Sequence, residues 1–144
     1  MQGRFQFRLQ KVLDIRMKEE DQSKMEFKKA MEEKRNTEIK LNNLKNSYDK
    51  FNKFDEEESI IERKLKLNYL KCLNSTINSV NEELKHKNKF VEEKRIVLKE
   101  KQVSRKTVEI LKQKKLEEFQ KEQNSIEQKA NDEFALYGFI RARS

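Results

Sequence analysis

Apolar residues recur at steps of three and four positions along most of the chain, which is the spacing of one helix face. In the first third of the chain, the apolar members of this face are Leu9, Leu13, Phe27, Ala30, Leu41, Leu44, Tyr48 and Phe51. Between these groups the same face has the polar residues Arg16, Glu20, Ser23, Lys34 and Thr37. The pattern predicts a first helix over residues of about 4–53, with a seam that is weak in its middle.

A second helical pattern covers residues of about 60–136. Its first part steps by heptads, with the apolar positions Leu73, Ile77, Val80, Leu84, Val91 and Leu98. Lys87 and Lys94 occupy alternate seam positions, where lysine lowers stability but helps to fix register and partner number. After Val108 and Leu111 the pattern changes phase, as in a coiled-coil stutter. It then continues through Leu116, Phe119, Gln123, Ile126, Ala130 and Phe134.

Little in the sequence forces the chain to turn, because it contains no proline and its two glycines lie near its ends. Proline and glycine cost about 3 and 1 kcal/mol in a helix interior relative to alanine. The one break follows Phe54, where Asp55 precedes three consecutive glutamates. Asp55 with Glu58 has the spacing of a capping box, and acidic residues suit the first turn of a helix. We therefore expect a turn at about 54–59.

These elements predict an all-α fold in which two long helices form an antiparallel coiled-coil hairpin, as a single domain over residues 1–144. The second helix is the longer one. Charged residues make up 42% of the chain and hydrophobic residues 34%, so a narrow seam is expected and a thick core is not. High charge also fits disorder, but the helical spacing of the apolar residues favours an ordered structure.

The unequal helix lengths predict an overhang. If residue 53 lies opposite residue 60, residue 4 lies near residue 109, and residues 110–136 extend about 40 Å further at about 1.5 Å per residue. Because an unpartnered apolar stripe usually marks an interaction site, we expect this overhang, which includes Phe119, to be a docking site.

A second contact surface is expected near the turn, where apolar residues are dense. They are Tyr48, Phe51, Phe54, Ile60, Ile61, Leu65, Leu67, Tyr69, Leu70 and Leu73. A two-helix hairpin has one seam and cannot bury all of them.

Several function classes find no support. His86 is the only histidine and Cys72 the only cysteine, and there is no glycine-rich phosphate loop. We expect no enzyme activity, cofactor or metal, a surface position for His86 and a packing role for Cys72. A single cysteine fits a reducing compartment, and no apolar run reaches the roughly 20 residues of a membrane span. We expect the N-terminus to be the mature start of a soluble protein.

Two other interpretations stay open. Residues 85–115 contain twelve Lys or Arg and four Glu, and such clusters can bind phosphate backbones. Only Phe90 is interleaved as an aromatic and no nucleic-acid module is present, so we expect a solvated face that could attract an acidic protein and no nucleic-acid binding. The other alternative is a structural coiled coil that self-associates into dimers, whereas the hairpin predicts a monomer.

Three segments carry a resemblance to a known family. The chain opens with FQFRLQKVLDIR over residues 5–16, continues after the turn with NYLKCL over residues 68–73, and closes with EQKANDEFA over residues 127–135. This order of motifs, spread over essentially the whole chain, resembles the flagellar export protein FliJ family. The resemblance implies an antiparallel two-helix coiled coil similar to the central stalk of rotary ATPases.

The resemblance also implies partners. Members of this family act in the cytoplasm, at the membrane face of the flagellar base, as parts of the type III export apparatus. They bind the export ATPase and promote its ring assembly, contact the export gate membrane protein and associate with export chaperones. The implied ATPase-binding residues are Phe5, Leu9, Val12, Leu13, Ile126, Asp132, Glu133 and Phe134. The implied export-gate-binding residues are Leu41, Leu44, Tyr48, Tyr69 and Leu73.

Overall fold

The structure, a computed structural model, describes residues 3–143. It contains helix α1 at Gln10–Phe51 and helix α2 at Ile60–Arg143, of 42 and 84 residues. The described residues include no strand. The predicted all-α fold with a longer second helix is therefore confirmed. None of the helices among the described residues has the length and apolar character needed to cross a membrane.

The chain divides into two compact units. The turn unit comprises residues 21–100, and the terminal unit combines residues 1–20 with residues 101–144. In each unit a part of α1 packs antiparallel to a part of α2. The single domain over residues 1–144 stays a prediction.

A narrow apolar seam holds the turn unit together. Its buried apolar members are Ala30, Leu41, Leu70, Leu73, Ile77, Val80 and Val91. Leu41, Ile77 and Val80 form a cluster against which Leu44 and Tyr48 pack. These residues lie at the three- and four-residue steps seen in the sequence, since only that spacing keeps one face toward a partner helix.

The weak middle of the first seam is occupied by polar contacts. Thr37 is buried, and its hydroxyl donates to the Glu33 carbonyl at 3.0 Å. The Lys87 ammonium donates to the Glu33 carboxylate at 3.2 Å, and the Lys94 ammonium to the Glu26 carboxylate at 3.1 Å. The seam lysines thus reach across to glutamates of α1. The hydrogen bond from Lys94, with a smaller contribution from Gln22, lowers the pKa of Glu26.

The capping box of α2 is not the predicted one. The Ser59 hydroxyl accepts from the Glu62 N–H at 3.2 Å, and the Glu62 carboxylate accepts from the Ser59 N–H at 3.4 Å. The predicted pair, Asp55 with Glu58, is wrong: the Asp55 carbonyl accepts from the Glu58 N–H at 3.2 Å, and the Glu58 carboxylate pairs with Lys66. Both pairs have capping-box spacing, and the side chain of Glu58 is engaged elsewhere.

The register at the turn also differs from the prediction. The Phe51 ring packs edge to face on the Tyr69 ring, with 5.0 Å between centroids, whereas the predicted register places Phe51 near residue 62. The first two turns of α2 therefore extend past the end of α1. As a result, Ile60, Ile61 and Leu65 are 75%, 72% and 65% exposed.

The start of α1 is later than expected. Residues 3–9 are not helical, and α1 begins at Gln10, whose N–H donates to the Phe7 carbonyl at 3.1 Å. The predicted start near residue 4 is wrong because contacts of these residues with α2 replace local helix formation, as described below. Cys72 is exposed, so its predicted packing role is wrong too, whereas His86 lies on the surface as expected.

Candidate docking site

A polar network joins the two helices of the terminal unit. Glu20 is 3% exposed and its carboxylate pairs with the Arg105 guanidinium, which also donates to Glu109 at 2.6 Å. The hydrogen bond to Glu20, followed by that to Glu109, raises the pKa of Arg105. Arg16 donates to the Ser104 carbonyl at 2.9 Å. These contacts explain why polar residues occupy seam positions in this part of α1.

The face of α2 that packs on α1 can be followed through the predicted change of phase. The buried or half-buried residues of this face are Arg105, Val108, Lys112, Leu116, Phe119 and Gln123. Two successive four-residue steps, from Val108 to Lys112 and from Lys112 to Leu116, interrupt the alternation of three and four. The three steps from Arg105 to Leu116 therefore span 11 residues, which is the spacing of a stutter.

Residues 3–9, which we call the N-terminal strap, cover the next part of this face. The rings of Phe5 and Phe119 lie 5.6 Å apart between centroids, at an angle of 52°, and Phe5 and Phe7 are half-buried. Between the strap and α2 lies an open groove of about 710 Å³, which also borders Lys115 and Glu122. The predicted overhang begins at residue 110. This start is wrong, because the strap covers α2 as far as Phe119.

Beyond Gln123 the face of α2 is uncovered. All residues of 124–143 are exposed, a length of about 30 Å at about 1.5 Å per residue. The face nevertheless stays apolar at helical spacing. We call this uncovered face, together with the half-buried residues Phe119 and Gln123 that lead into it, the docking stripe: Phe119, Gln123, Ile126, Ala130, Phe134 and Tyr137.

The uncovered residues present large apolar side chains to solvent. Ile126, Phe134 and Tyr137 are 56%, 75% and 65% exposed. Leu136, Phe139 and Ile140, on other sides of the helix, are also more than half exposed. Neither Tyr137 nor its neighbours Leu136, Phe139 and Ile140 were predicted as site residues from the sequence. The available signal was the run of residues 134–140, which contains no charged residue.

The structure separates the predicted ATPase-binding residues into three groups. Phe5 and Phe119 contact each other. Leu9, the last residue of the strap, and Val12 in the first turn of α1 are partly exposed, whereas Leu13 is buried in the seam at 4% exposure. The exposed members on the uncovered helix are Ile126, Asp132, Glu133 and Phe134. These last residues are directly accessible to a partner.

The predicted gate-binding residues belong mostly to the seam of the turn unit. Leu41 and Leu73 are each 7% exposed, and Leu44 and Tyr48 pack against the buried cluster. Tyr69 is the accessible member, with 45% of its surface exposed. The surface next to it consists of the first two turns of α2, where the sequence contains more apolar residues than one seam can bury.

The basic stretch 85–115 is largely engaged within the molecule. Seven of its twelve basic residues form ion pairs: Lys85, Lys87, Lys94, Arg95, Lys101, Arg105 and Lys115. Their charge is therefore partly compensated by nearby glutamates. Among the described residues no group of three or more His, Cys, Asp or Glu side chains could hold a metal ion.

A comparison with known protein families identifies a match over nearly the whole chain. The model of a family described as "Flagellar FliJ protein" matches residues 5–144, nearly the whole chain. No curated protein matches the chain, and no solved structure matches it. The matched range includes the strap, both helices and the docking stripe.

Proposed function

The chain belongs to the flagellar FliJ family, and from this membership we propose that it is a stalk and adaptor that binds the export ATPase through the docking stripe. The family places the chain among the components of the flagellar protein export apparatus, as a structural or adaptor protein. The observation that carries the proposal is the continuation of the α2 seam beyond the last residue that α1 or the strap covers.

The exposed stripe contains enough apolar surface for a stable contact. Burying an Ile or Phe side chain is worth about 2 kcal/mol, so Ile126, Phe134 and Tyr137 together provide several kcal/mol before the cost of association. A helix end bound in this way to subunits of the ATPase would favour ring assembly and raise the rate of ATP hydrolysis. The chain itself would hydrolyse no ATP.

The turn unit is the proposed site for the export gate membrane protein. Its accessible apolar residues are Ile60, Ile61, Leu65 and Tyr69, and they support a contact centred on Tyr69, with Leu41, Leu44, Tyr48 and Leu73 supporting it from the seam. Association with export chaperones completes the proposed set of partners. We place the protein in the cytoplasm, peripherally associated with the membrane at the flagellar base.

The docking proposal is tested with the double variant Ile126→Ala/Phe134→Ala. Each substitution is expected to remove about 2 kcal/mol of buried apolar contact, or roughly 30-fold in affinity, so the double variant is expected to bind roughly 1,000-fold more weakly. Binding to the purified export ATPase is measured by calorimetry, and the ATPase rate is measured with and without the chain.

The matched control is Ile15→Ala, because Ile15 and Ile126 are both 56% exposed and Ile15 lies outside the docking stripe. The control is expected to bind as the unchanged chain does. Equal affinities for the double variant and the unchanged chain would refute the assignment of the docking stripe.

A further inference from the structure

The N-terminal strap has a sequence typical of a helix but a non-helical structure. Residues 4–9, RFQFRL, contain neither proline nor glycine. Two backbone hydrogen bonds join the strap to α1. The Phe7 carbonyl accepts from the Gln10 N–H, and the Leu9 carbonyl accepts from the Leu13 N–H. Its own position is held by side chains, above all by the contact of Phe5 with Phe119. Packing on α2 therefore decides its conformation.

The register of the terminal unit shows what this conformation changes. Arg16 bonds to Ser104, and Glu19 pairs with Lys101 at 3.4 Å. If α1 continued as a helix toward the N-terminus in this register, Phe5 would lie near residue 115. Phe5 instead contacts Phe119, about one helical turn further along α2. The strap reaches this far because a non-helical segment advances up to about 3.3 Å per residue, compared with about 1.5 Å in a helix.

We propose that the strap is a displaceable cover of Phe119, the first residue of the docking stripe. When the export ATPase binds, the strap folds as an extension of α1 and withdraws Phe5 from Phe119. Phe119 and Gln123 then join Ile126, Ala130, Phe134 and Tyr137 in one continuous contact surface. This inference rests on the proposed function, because it names the regulation of the same stripe.

The proposal requires the two states of the strap to be close in free energy. For a good helix former, the equilibrium constant for adding one residue to an existing helix is about 1 to 1.6. Over six residues of the strap this favours the helical state by up to about 15-fold. An aromatic pair such as Phe5 with Phe119 favours the non-helical state by about 2- to 13-fold, in addition to the effect of burying apolar area. The partial burial of Phe5 and Phe7 adds to the stability of the non-helical state. The contact that a partner gains with Phe119 must therefore outweigh both this burial and the aromatic contact.

The first experiment prevents withdrawal of the strap. In a Cys72→Ser background, the two thiols of Phe5→Cys/Phe119→Cys are joined by a short bis-maleimide. The affinity of this linked chain for the export ATPase is compared with the affinity of the same variant in which each thiol is capped by a separate maleimide. The linked chain is expected to bind at least tenfold more weakly. The control is a link between Glu33→Cys and Lys87→Cys in the turn unit, at positions where the unchanged Glu33 and Lys87 side chains pair at 3.2 Å. This link is expected to leave binding unchanged. Equal binding by linked and capped strap variants would overturn the proposal.

The second experiment needs no partner. Cα chemical shifts of residues 4–9 are measured by NMR in the unchanged chain, in Phe119→Ala and in Phe119→Ala/Arg8→Pro. Loss of the Phe119 ring is expected to move these shifts toward helical values. Proline at position 8 is expected to abolish that change, because it removes the hydrogen bond to the carbonyl of residue 4 and clashes with that carbonyl. Shifts that stay non-helical in Phe119→Ala would overturn the switch. If the unchanged chain fails to bind the ATPase while these shifts do become helical, the proposed function fails and the folding of the strap stands.

Discussion

Replacing Leu41 with alanine tests whether one narrow seam holds the turn unit together. Leu41 is 7% exposed and lies in the cluster with Ile77 and Val80. The substitution removes three carbon atoms, each worth about 0.8 kcal/mol when buried. Alanine favours the helix slightly over leucine, and a seam between two helices can partly close around the space that is left. We therefore expect a loss of about 2 kcal/mol in the free energy of unfolding, toward the lower end of Leu→Ala costs.

The assay is urea unfolding followed by circular dichroism at 222 nm, compared with Ile39→Ala as the matched control. Ile39 lies two residues away on the same helix but is 52% exposed. Its replacement is expected to change stability by less than about 0.5 kcal/mol, as is usual for surface sites. The slope of the transition should be the same for both variants, because a smaller slope would mean that two-state behaviour is lost.

A specific result would refute this reasoning. If Ile39→Ala costs as much as Leu41→Ala, the outer face of α1 is buried in solution against another molecule. The single seam would then not be the source of stability, and self-association would become the better description. If neither substitution has an effect, the cluster around Leu41 does not form.

Three further predictions follow from other contacts. Ser59→Ala should lower stability by about 1 kcal/mol in urea unfolding, since it removes the helix cap, whereas a larger loss for Asp55→Ala would contradict the assigned capping box. The pKa of Glu26 is lowered in the folded chain by Lys94, so its contribution to stability is present above the unfolded pKa and is lost as the pH falls through the folded pKa. Lys94→Met should raise the pKa of Glu26 in an NMR titration, and an unchanged pKa would show that the ion pair does not persist in solution. Sedimentation equilibrium should give a monomer of 17.5 kDa, and a persistent dimer would favour self-association.

The sequence by itself determined the two helices and the face of each that forms the seam. This information is local: without proline and with glycine only near the ends, the spacing of apolar residues is enough to define a helix face. Even the polar seam positions were recognisable, as Glu20 and Lys94 show. Part of the candidate site was predictable for the same reason, since Ile126 and Phe134 continue the stripe of Phe119.

The tertiary structure decided register, coverage and the end of each helix. A two-helix seam repeats every seven residues, so registers one heptad apart bury similar side chains. Contacts between specific pairs, such as Phe51 with Tyr69 or Glu33 with Lys87, determine which register forms. Two segments offered a capping box of the same spacing, and the contact of Glu58 with Lys66 left Ser59 as the cap. The conformation of the strap depends on Phe5 meeting Phe119, more than a hundred residues away in the chain. Contacts over such separations are absent from local sequence patterns, and for that reason the structure alone showed where the cover of α2 ends.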